Sequence, residues 1–249
     1  MPLKILFQSS DFVAVEKPAK FFSHPPTSEN SYYNAKFDCL KILRDQLGFY
    51  LYPVHRLDFE TSGVLMYALS KDSAADINNL FCQKKIKKTY IGVLRGWLEE
   101  CLVDIPLKSQ DIKGNFKDSK TLFQPLSMIE MNYSNTRYAT SRFTLCKIEP
   151  QEGRFRQIRR HAKMIGHPLV GDKTYGDRVH NQYFENHLKI PGLLLRAQVL
   201  QFEINGQNYL IQGHFRHRWH QVFDLFGICP WVNTRHFCRS EQLELSSIS

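Results

Sequence analysis

The sequence predicts a single strand-rich domain of mixed α and β structure, and three observations carry that reading. Several short apolar segments sit between turn residues, and helical periodicity is confined to a few brief stretches. Asn205-Gly206, between "LLLRAQVLQFEI" and "QNYLIQG", is the strongest hairpin signal in the chain. At 249 residues, with 43% apolar and 13% aromatic composition, the chain can bury a substantial core. With no repeat, no low-complexity linker and no composition break before about residue 230, residues 1–230 read as one domain and 231–249 as a C-terminal tail.

Taken in order, "LKILFQSSDFVAVEKP" predicts two strands parted by Ser9-Ser10-Asp11. Lys17-Pro18 ends the second, because proline supplies no ladder donor. A polar loop, "AKFFSHPPTSENS", follows. Tyr33, Phe37, Leu40, Leu43 and Leu47 recur at helical spacing, so a helix is expected from Tyr33, with Gly48 as its stop. "GVLMYALS" is a continuous apolar run suited to a central strand covered on both faces. The preceding "HRLDFETSG" is then the loop that enters it. Ser70 can cap a helix through "KDSAADINNLFCQ", and "KKIKKTYIGVLRG" is a basic turn leading into a strand with Tyr90 near its start. Residues 101–138 show no regular pattern. "ATSRFTLCKIEP" reads as a strand, and "GRFRQIRRHAKMIGHP" as a helix with Gly166 just past its end. The last helix, "RWHQVFDLFG", places Trp219, Val222, Phe223 and Phe226 on one side.

Composition narrows the function classes. No run approaches the roughly 18 uninterrupted apolar residues of a membrane span, and "MPLKILFQSSDF" lacks the parts of a signal peptide, so a cytoplasmic home is expected. The six cysteines are scattered with no C-x-x-C pair, which points to reduced thiols rather than a disulfide framework or zinc site. His214, His217 and His220 fall three apart, a spacing that walks around a helix axis instead of converging on one ion, so no metal is expected. With 33 Lys and Arg against 24 Asp and Glu, the formal charge of +9 draws the chain towards phosphate polymers.

Three places gather ionic residues around aromatic or small ones. In the first, Asp58 stands two places after Arg56 and ahead of Thr61-Ser62-Gly63; on spacing alone a carboxylate there reads first as a turn residue capping the amides of Thr61 or Ser62. In the second, Lys84, Lys85, Lys87 and Lys88 precede Tyr90, which suits either a solvated turn or a grip on a nucleic-acid backbone beside a stacking ring. In the third, Arg156, Arg159, Arg160 and Lys163 recur at helical offsets, Arg154 lies just ahead, and no acidic residue occurs between Gly153 and Gly171. A face of one sign is suited to phosphates or a carboxylate, while Ile158, Ala162 and Ile165 pack inward.

Together, "HRLDFETSG", "KKTYIGVLRG" and "GRFRQIRRHAKMIGHPLVGDKTYG" occur in the order and at about the separations of the RluA-type pseudouridine synthases, which the chain resembles from about Leu3 to Phe226. The lead-in "DFVAVEKPAKFFSHP" is similar to that family's opening strand and Lys-Pro loop. "VLRGWL", "RRHAKMIGHPLVGD" and "YGDRVHNQYF" are closest to members acting on tRNA, for which uridine 65 is the implied target. The resemblance implies one α+β domain built on a mixed, mainly antiparallel sheet, split around a central basic cleft and flanked by helices. It also implies an RNA uridine isomerase that needs no cofactor and has RNA as its partner; a cleft formed within one chain suggests a monomer. An rRNA-acting synthase, or an RNA-binding or RNA-folding protein without chemistry on the same scaffold, are the alternatives.

Residue by residue, Asp58 matches the family's catalytic aspartate, Arg159 the arginine paired with it, and Tyr90 the tyrosine that stacks on the target base. Arg56 matches a residue that enters the RNA helix in the member that gives the family its name. His55 and Thr61 would shape the loop, and Ile158 would lie against the uracil. Lys84, Lys85, Lys87, Lys88, Arg154, Arg156, Arg160, Lys163, Lys173 and Arg178 are the expected RNA contacts. Two departures stand out: Arg156 replaces a histidine common among relatives, and Lys20 occupies a position where glycine is usual.

Overall fold

Serine and aspartate punctuate the first apolar stretch, and the chain turns there. Strands β1 (Lys4–Gln8) and β2 (Phe12–Lys17) pair antiparallel, with Ser9 N donating to Phe12 O at 2.9 Å across the turn. The computed structural model describes residues 2–26, 33–109, 114–134 and 138–229, so the expected tail lies outside the described residues. The chain divides into two compact units, Met1–His214 and Phe215–Ser249.

The helix expected from Tyr33 begins later. A 3-10 turn, Ala35–Phe37, precedes α1 (Cys39–Leu47), because Asp38 caps the helix by accepting from Lys41 N at 3.2 Å and thereby leaves Phe37 exposed. Gly48 ends α1 with φ +77°, the left-handed conformation that glycine favours. Strand β3 (Tyr52–Pro53) leads to the loop holding Asp58 and then to β4 (Ser62–Ala68), all of whose residues are buried. Its side chains alternate between two cores. Val64, Met66 and Ala68 join Phe12 and Ala14 on one face, while Leu65 and Tyr67 join Val13 and Val15 on the other. That is the doubly covered strand the apolar run predicted.

Helix α2 (Lys71–Cys82) starts where expected, Ser70 Oγ accepting from Ser73 N at 3.0 Å, and β5 (Lys87–Arg95) follows. The stretch without pattern, 101–138, is mostly strand: β6 (Cys101–Asp104), β7 (Leu107–Lys108), β8 (Phe116–Lys117) and β9 (Lys120–Met131), the last pairing with β10 (Ser141–Pro150). A register shift beside Pro125 interrupts the alternation along β9, which conceals the strand from periodicity. Helices α3 (Gln157–Met164) and α4 (Arg178–Asn186) precede the hairpin of β11 (Leu195–Ile204) and β12 (Gln207–Gln212). Asn205 and Gly206 turn it with φ +52° and +74°. The second unit contains α5 (His217–Leu225), where Phe215 and Phe223 meet edge to face at 4.6 Å.

Among the described residues, ten strands form one mixed sheet in the order β1-β2-β4-β11-β5-β10-β9-β6, with β12 on β11 and β3 on β4. Its one parallel contact joins β4 to β11 through only two pairs, Ser62 with Arg196 and Gly63 with Ala197. Beyond them β4 pairs with β3 and β11 with β12, so the sheet parts. The mainly antiparallel, split α+β architecture is the expected one.

Gly63 makes the contact feasible. Its φ is +122°, and a Cβ there would lie 1.9 Å from the Ala197 carbonyl oxygen. Beside it a buried ion pair spans β4: Arg196 of β11 meets Glu16 of β2 with both ends of its guanidinium, at 2.8 and 2.9 Å, and also donates to Gln198 Oε1 and His214 O. Removing either partner would leave a buried charge without compensation.

Lys20 adopts φ +64° while its amide donates to Phe59 O at 2.7 Å. The left-handed backbone costs a side-chain-bearing residue about 1 kcal/mol, partly offset because glycine frees the unfolded chain. Lys20→Gly is therefore expected to raise the thermal midpoint by about 1 to 2 °C, read by calorimetry.

Candidate active site

Asp58 lies on the loop five positions before Gly63, and the loop is closed by backbone: Thr61 N donates to Asp58 O at 3.0 Å. The carboxylate is thus not used as the turn cap that local spacing allowed. Instead its Oδ2 lies 3.4 Å from Arg159 Nη1. Lys17, fully buried at the end of β2, holds the loop from beneath by donating to Thr61 O at 2.7 Å, Pro18 O at 3.0 Å and Phe59 O at 3.2 Å. Burial pushes the Lys17 ammonium down to about 8, while Cys39, Asp58 and Glu60 work in the other direction.

The register of the sheet brings Tyr90 to the same place. Ala197 pairs with Tyr90 on one side and Gly63 on the other, so the tyrosine and the entry to β4 flank one residue of β11. A cavity of about 310 Å³ is lined by Arg56, Asp58, Thr61, Tyr90, Ile158 and Leu195, with Arg154, Arg156 and Arg159 also at its wall. Burial, and then the Asp58 charge, raise the Tyr90 phenol above its ordinary range, so the ring is neutral at physiological pH.

Arg159 does not lie on a solvated basic face. It turns inward from α3, 3% exposed, and donates from Nε and Nη2 to Asp172 at 2.6 and 2.8 Å, while Ile158 and Ala162 pack into the core beside it. Asp172 in turn accepts from the amides of Thr174 and Tyr175 at 2.8 and 2.9 Å. Burial would raise the Asp172 carboxyl, but the bonds from Arg159 and those amides outweigh it and hold the group below its ordinary value. Burial likewise opposes charge on Arg159, and Asp172, then Asp58, overcome it and raise its pKa. Asp172 went unread in the sequence, although it is the first acidic residue after the cationic run.

Other expected residues are placed less simply. His55 does not line either cavity beside Asp58; its Nε2 accepts from Met66 N at 2.9 Å, and its ring packs against Phe81. It serves the β4 backbone where β11 has diverged. Lys84 and Lys88 are drawn to Glu152, Nζ meeting Oε1 at 2.5 Å and the carbonyl oxygen at 2.9 Å respectively. Arg154 donates to Asp118 O and Arg160 to Lys108 O. Lys85, Lys87, Lys163, Lys173 and Arg178 are exposed, as is Arg56. Arg156 stands at the start of α3 with φ +50°, its guanidinium 4.7 Å from the Phe155 ring centroid. The cationic run therefore divides into inward and outward members.

The split α+β sheet brings Asp58, Tyr90 and the buried Arg159 to one cavity, the set that the resemblance to an RNA-modifying class of isomerase implied. The family model described as RNA pseudouridylate synthase matches residues 11–164. The chain belongs to this family, is of its RluA type, and is an RNA uridine isomerase. A Vibrio vulnificus protein called tRNA pseudouridine synthase C is 37% identical over 244 residues, covering 93% of this chain and 97% of that protein. Its namesake in Haemophilus influenzae is 36% identical over 243 residues, covering 93% and 99%. The solved structure of human RNA Pseudouridylate Synthase Domain Containing 4 has a TM-score of 0.68 at 20% identity over 90% of this chain and 93% of that one, a likeness of fold.

Two predictions follow from the supports of the site. Burial, and then Lys88, push His55 down from 6.5 to about 3, so its contribution to stability is full above 6.5 and is lost as pH falls towards 3. His55→Ala should lower stability by about 1 to 3 kcal/mol at pH 7, by stranding the Met66 amide, and should flatten the dependence on pH between those values in denaturant titrations. Asp172→Asn keeps the acceptor for the Thr174 and Tyr175 amides but removes the charge facing Arg159. It should cost about 3 kcal/mol in urea unfolding, and turnover at saturating RNA should fall by at least about tenfold, as the freed guanidinium closes on Asp58.

Proposed function

We propose that this chain converts a uridine of tRNA to pseudouridine, with Asp58 as the group that acts on the target nucleotide. The observation that carries the proposal is the difference between Asp58 and its neighbouring carboxylates. Asp172 is saturated by Arg159 and two amides, and Glu152 by Lys84 and the Lys120 amide. Among the described residues the Asp58 carboxylate has one hydrogen-bonding partner, Arg159 at 3.4 Å, and it lines the cavity. Binding an anionic polymer gives no reason to keep such a carboxylate beside the cleft, which disfavours a scaffold that only binds RNA.

The reaction breaks the N-glycosidic bond, turns the uracil and rejoins it to the ribose through C5, with no net redox change. An ionised carboxylate suits it as a nucleophile at C6 or C1′, or as a base at the 2′ position. Arg159 meets it at one oxygen without sealing it in a two-point pair. Tyr90 offers a face on which the extruded base can stack, worth about 1 to 3 kcal/mol against the cost of unstacking, and Ile158 with Leu195 supplies an apolar wall. The relatives called tRNA pseudouridine synthase C support tRNA as substrate, and uridine 65 is the position expected from that likeness.

Tritium release from 5-tritiated uridine in tRNA transcripts, with rRNA transcripts offered alongside, tests this reading. Wild-type protein should release tritium from tRNA, and Asp58→Asn should lose on the order of a thousandfold or more while binding tRNA within a few fold. Retention of full activity by that variant would remove Asp58 from the chemistry, and release from rRNA alone would replace the substrate.

A further inference from the structure

We infer that a second cavity, next to the one containing Tyr90, is a subsite for the nucleotide adjoining the target uridine in the same RNA strand. The inference rests on the pseudouridine synthase reading and concerns what that enzyme recognises besides uridine.

The two cavities have a common wall. Arg56, Leu57, Asp58, Phe155, Arg156 and Arg159 line both the 310 Å³ space and a larger one of about 530 Å³. A polymeric substrate cannot deliver one nucleotide alone; its neighbours arrive one phosphodiester away on either side. A cavity that borders the reactive carboxylate therefore lies on the path of the strand.

Its lining suits a nucleotide. Arg56, Arg156 and Lys173 line it, and among the described residues none of their side chains has a hydrogen bond or ion pair to protein, Arg156 resting only against the Phe155 ring. Arg159, by contrast, is already committed to Asp172. Three uncommitted cations around one cavity fit a phosphodiester backbone. The larger space also holds a ring available for stacking: Phe59 is 38% exposed and is held at one edge by Phe22, with centroids 4.8 Å apart at a tilt of 47°. An aromatic ring among free cations is the arrangement that grips a single strand without reading base edges.

The ring is fixed relative to the chemistry. The Phe59 carbonyl accepts from Lys17 Nζ at 3.2 Å and from Lys20 N at 2.7 Å, and Phe59 directly follows Asp58. A base stacked on Phe59 would thus set the position of its neighbour over Asp58. The same backbone bonds survive replacement of the side chain, which makes the ring testable separately from the loop.

The test uses full-length protein and a tRNA-derived RNA centred on the uridine that the wild-type protein modifies. In two further RNAs the base on the 5′ or the 3′ side of that uridine is replaced by an abasic ribose. With wild-type protein, one abasic RNA should lose about tenfold in kcat/KM, the scale of one stacked base. Phe59→Ala should lose about as much on intact RNA and nothing more on that abasic RNA, whereas Phe59→Tyr should act as wild type. Lys173→Gln should weaken KM, leave kcat in place and lower the salt slope of RNA binding by about 1. Losses that multiply, or abasic RNAs processed as well as intact RNA, would overturn the subsite while leaving the isomerase reading in place. Failure of wild-type protein to form pseudouridine in the intact RNA would overturn both. The comparison of RNAs with wild-type protein stands even if a Phe59 variant folds poorly.

Discussion

The site depends on two strands that touch and then separate. Strands β4 and β11 run parallel for only two residue pairs, and only a glycine at position 63 lets the backbones approach so closely. Because Ala197 also pairs with Tyr90, one row across three strands places the tyrosine beside the entry to β4. Asp58 is just upstream on the loop that feeds that entry. Had β4 and β11 continued together, strand would occupy the space where the cavity lies. The parting leaves β4 amides without a neighbour, and Met66 finds His55 instead. The glycine, the histidine and the buried pair of Glu16 with Arg196 thus all serve one geometric decision.

The second constraint is electrostatic. A guanidinium has five N–H donors in a plane, and Arg159 gives two of its nitrogens to Asp172, leaving Nη1 towards Asp58. A full two-point pair with Asp58 would occupy both oxygens of that carboxylate. Sharing the arginine leaves one of them open. Asp172, held by two backbone amides, fixes the cation and takes up much of its charge. Asp58 keeps a single contact with the guanidinium and retains an oxygen for the substrate.

How much of this was legible follows from the range of each signal. Strands β1, β2 and β4, the Ser70 cap and the Asn205-Gly206 turn are local, and the sequence reading located them. The start of α1 was misplaced because Asp38, a cap, outweighs the periodicity that runs through Tyr33 and Phe37. Strand β9 was missed because its bulge breaks alternation. In the site, Asp58, Tyr90 and Arg159 were found through motif context, since their meeting depends on strand pairing that no window reveals. Asp172 and Lys17 were not found. Both act by burial, Asp172 against a partner 13 residues away and Lys17 against carbonyls 42 and 44 residues away, and neither belongs to a pattern in its own neighbourhood.

The net charge of +9 is likewise a poor guide to where RNA is held. Much of the basic run that suggested a phosphate-binding face is spent internally: Lys84 and Lys88 on Glu152, Arg154 and Arg160 on backbone carbonyls, Arg159 on Asp172. Committed cations have already exchanged water for protein partners, so they have less to gain from a phosphate than cations still in solvent. Arg56 and Lys173 remain in that second condition, Arg156 is half-buried against the Phe155 ring with no carboxylate or carbonyl partner among the described residues, and all three line a cavity that contains Asp58. The charge that matters for recognition is therefore the uncommitted part, and it is gathered where a strand must bend to bring one base to the carboxylate.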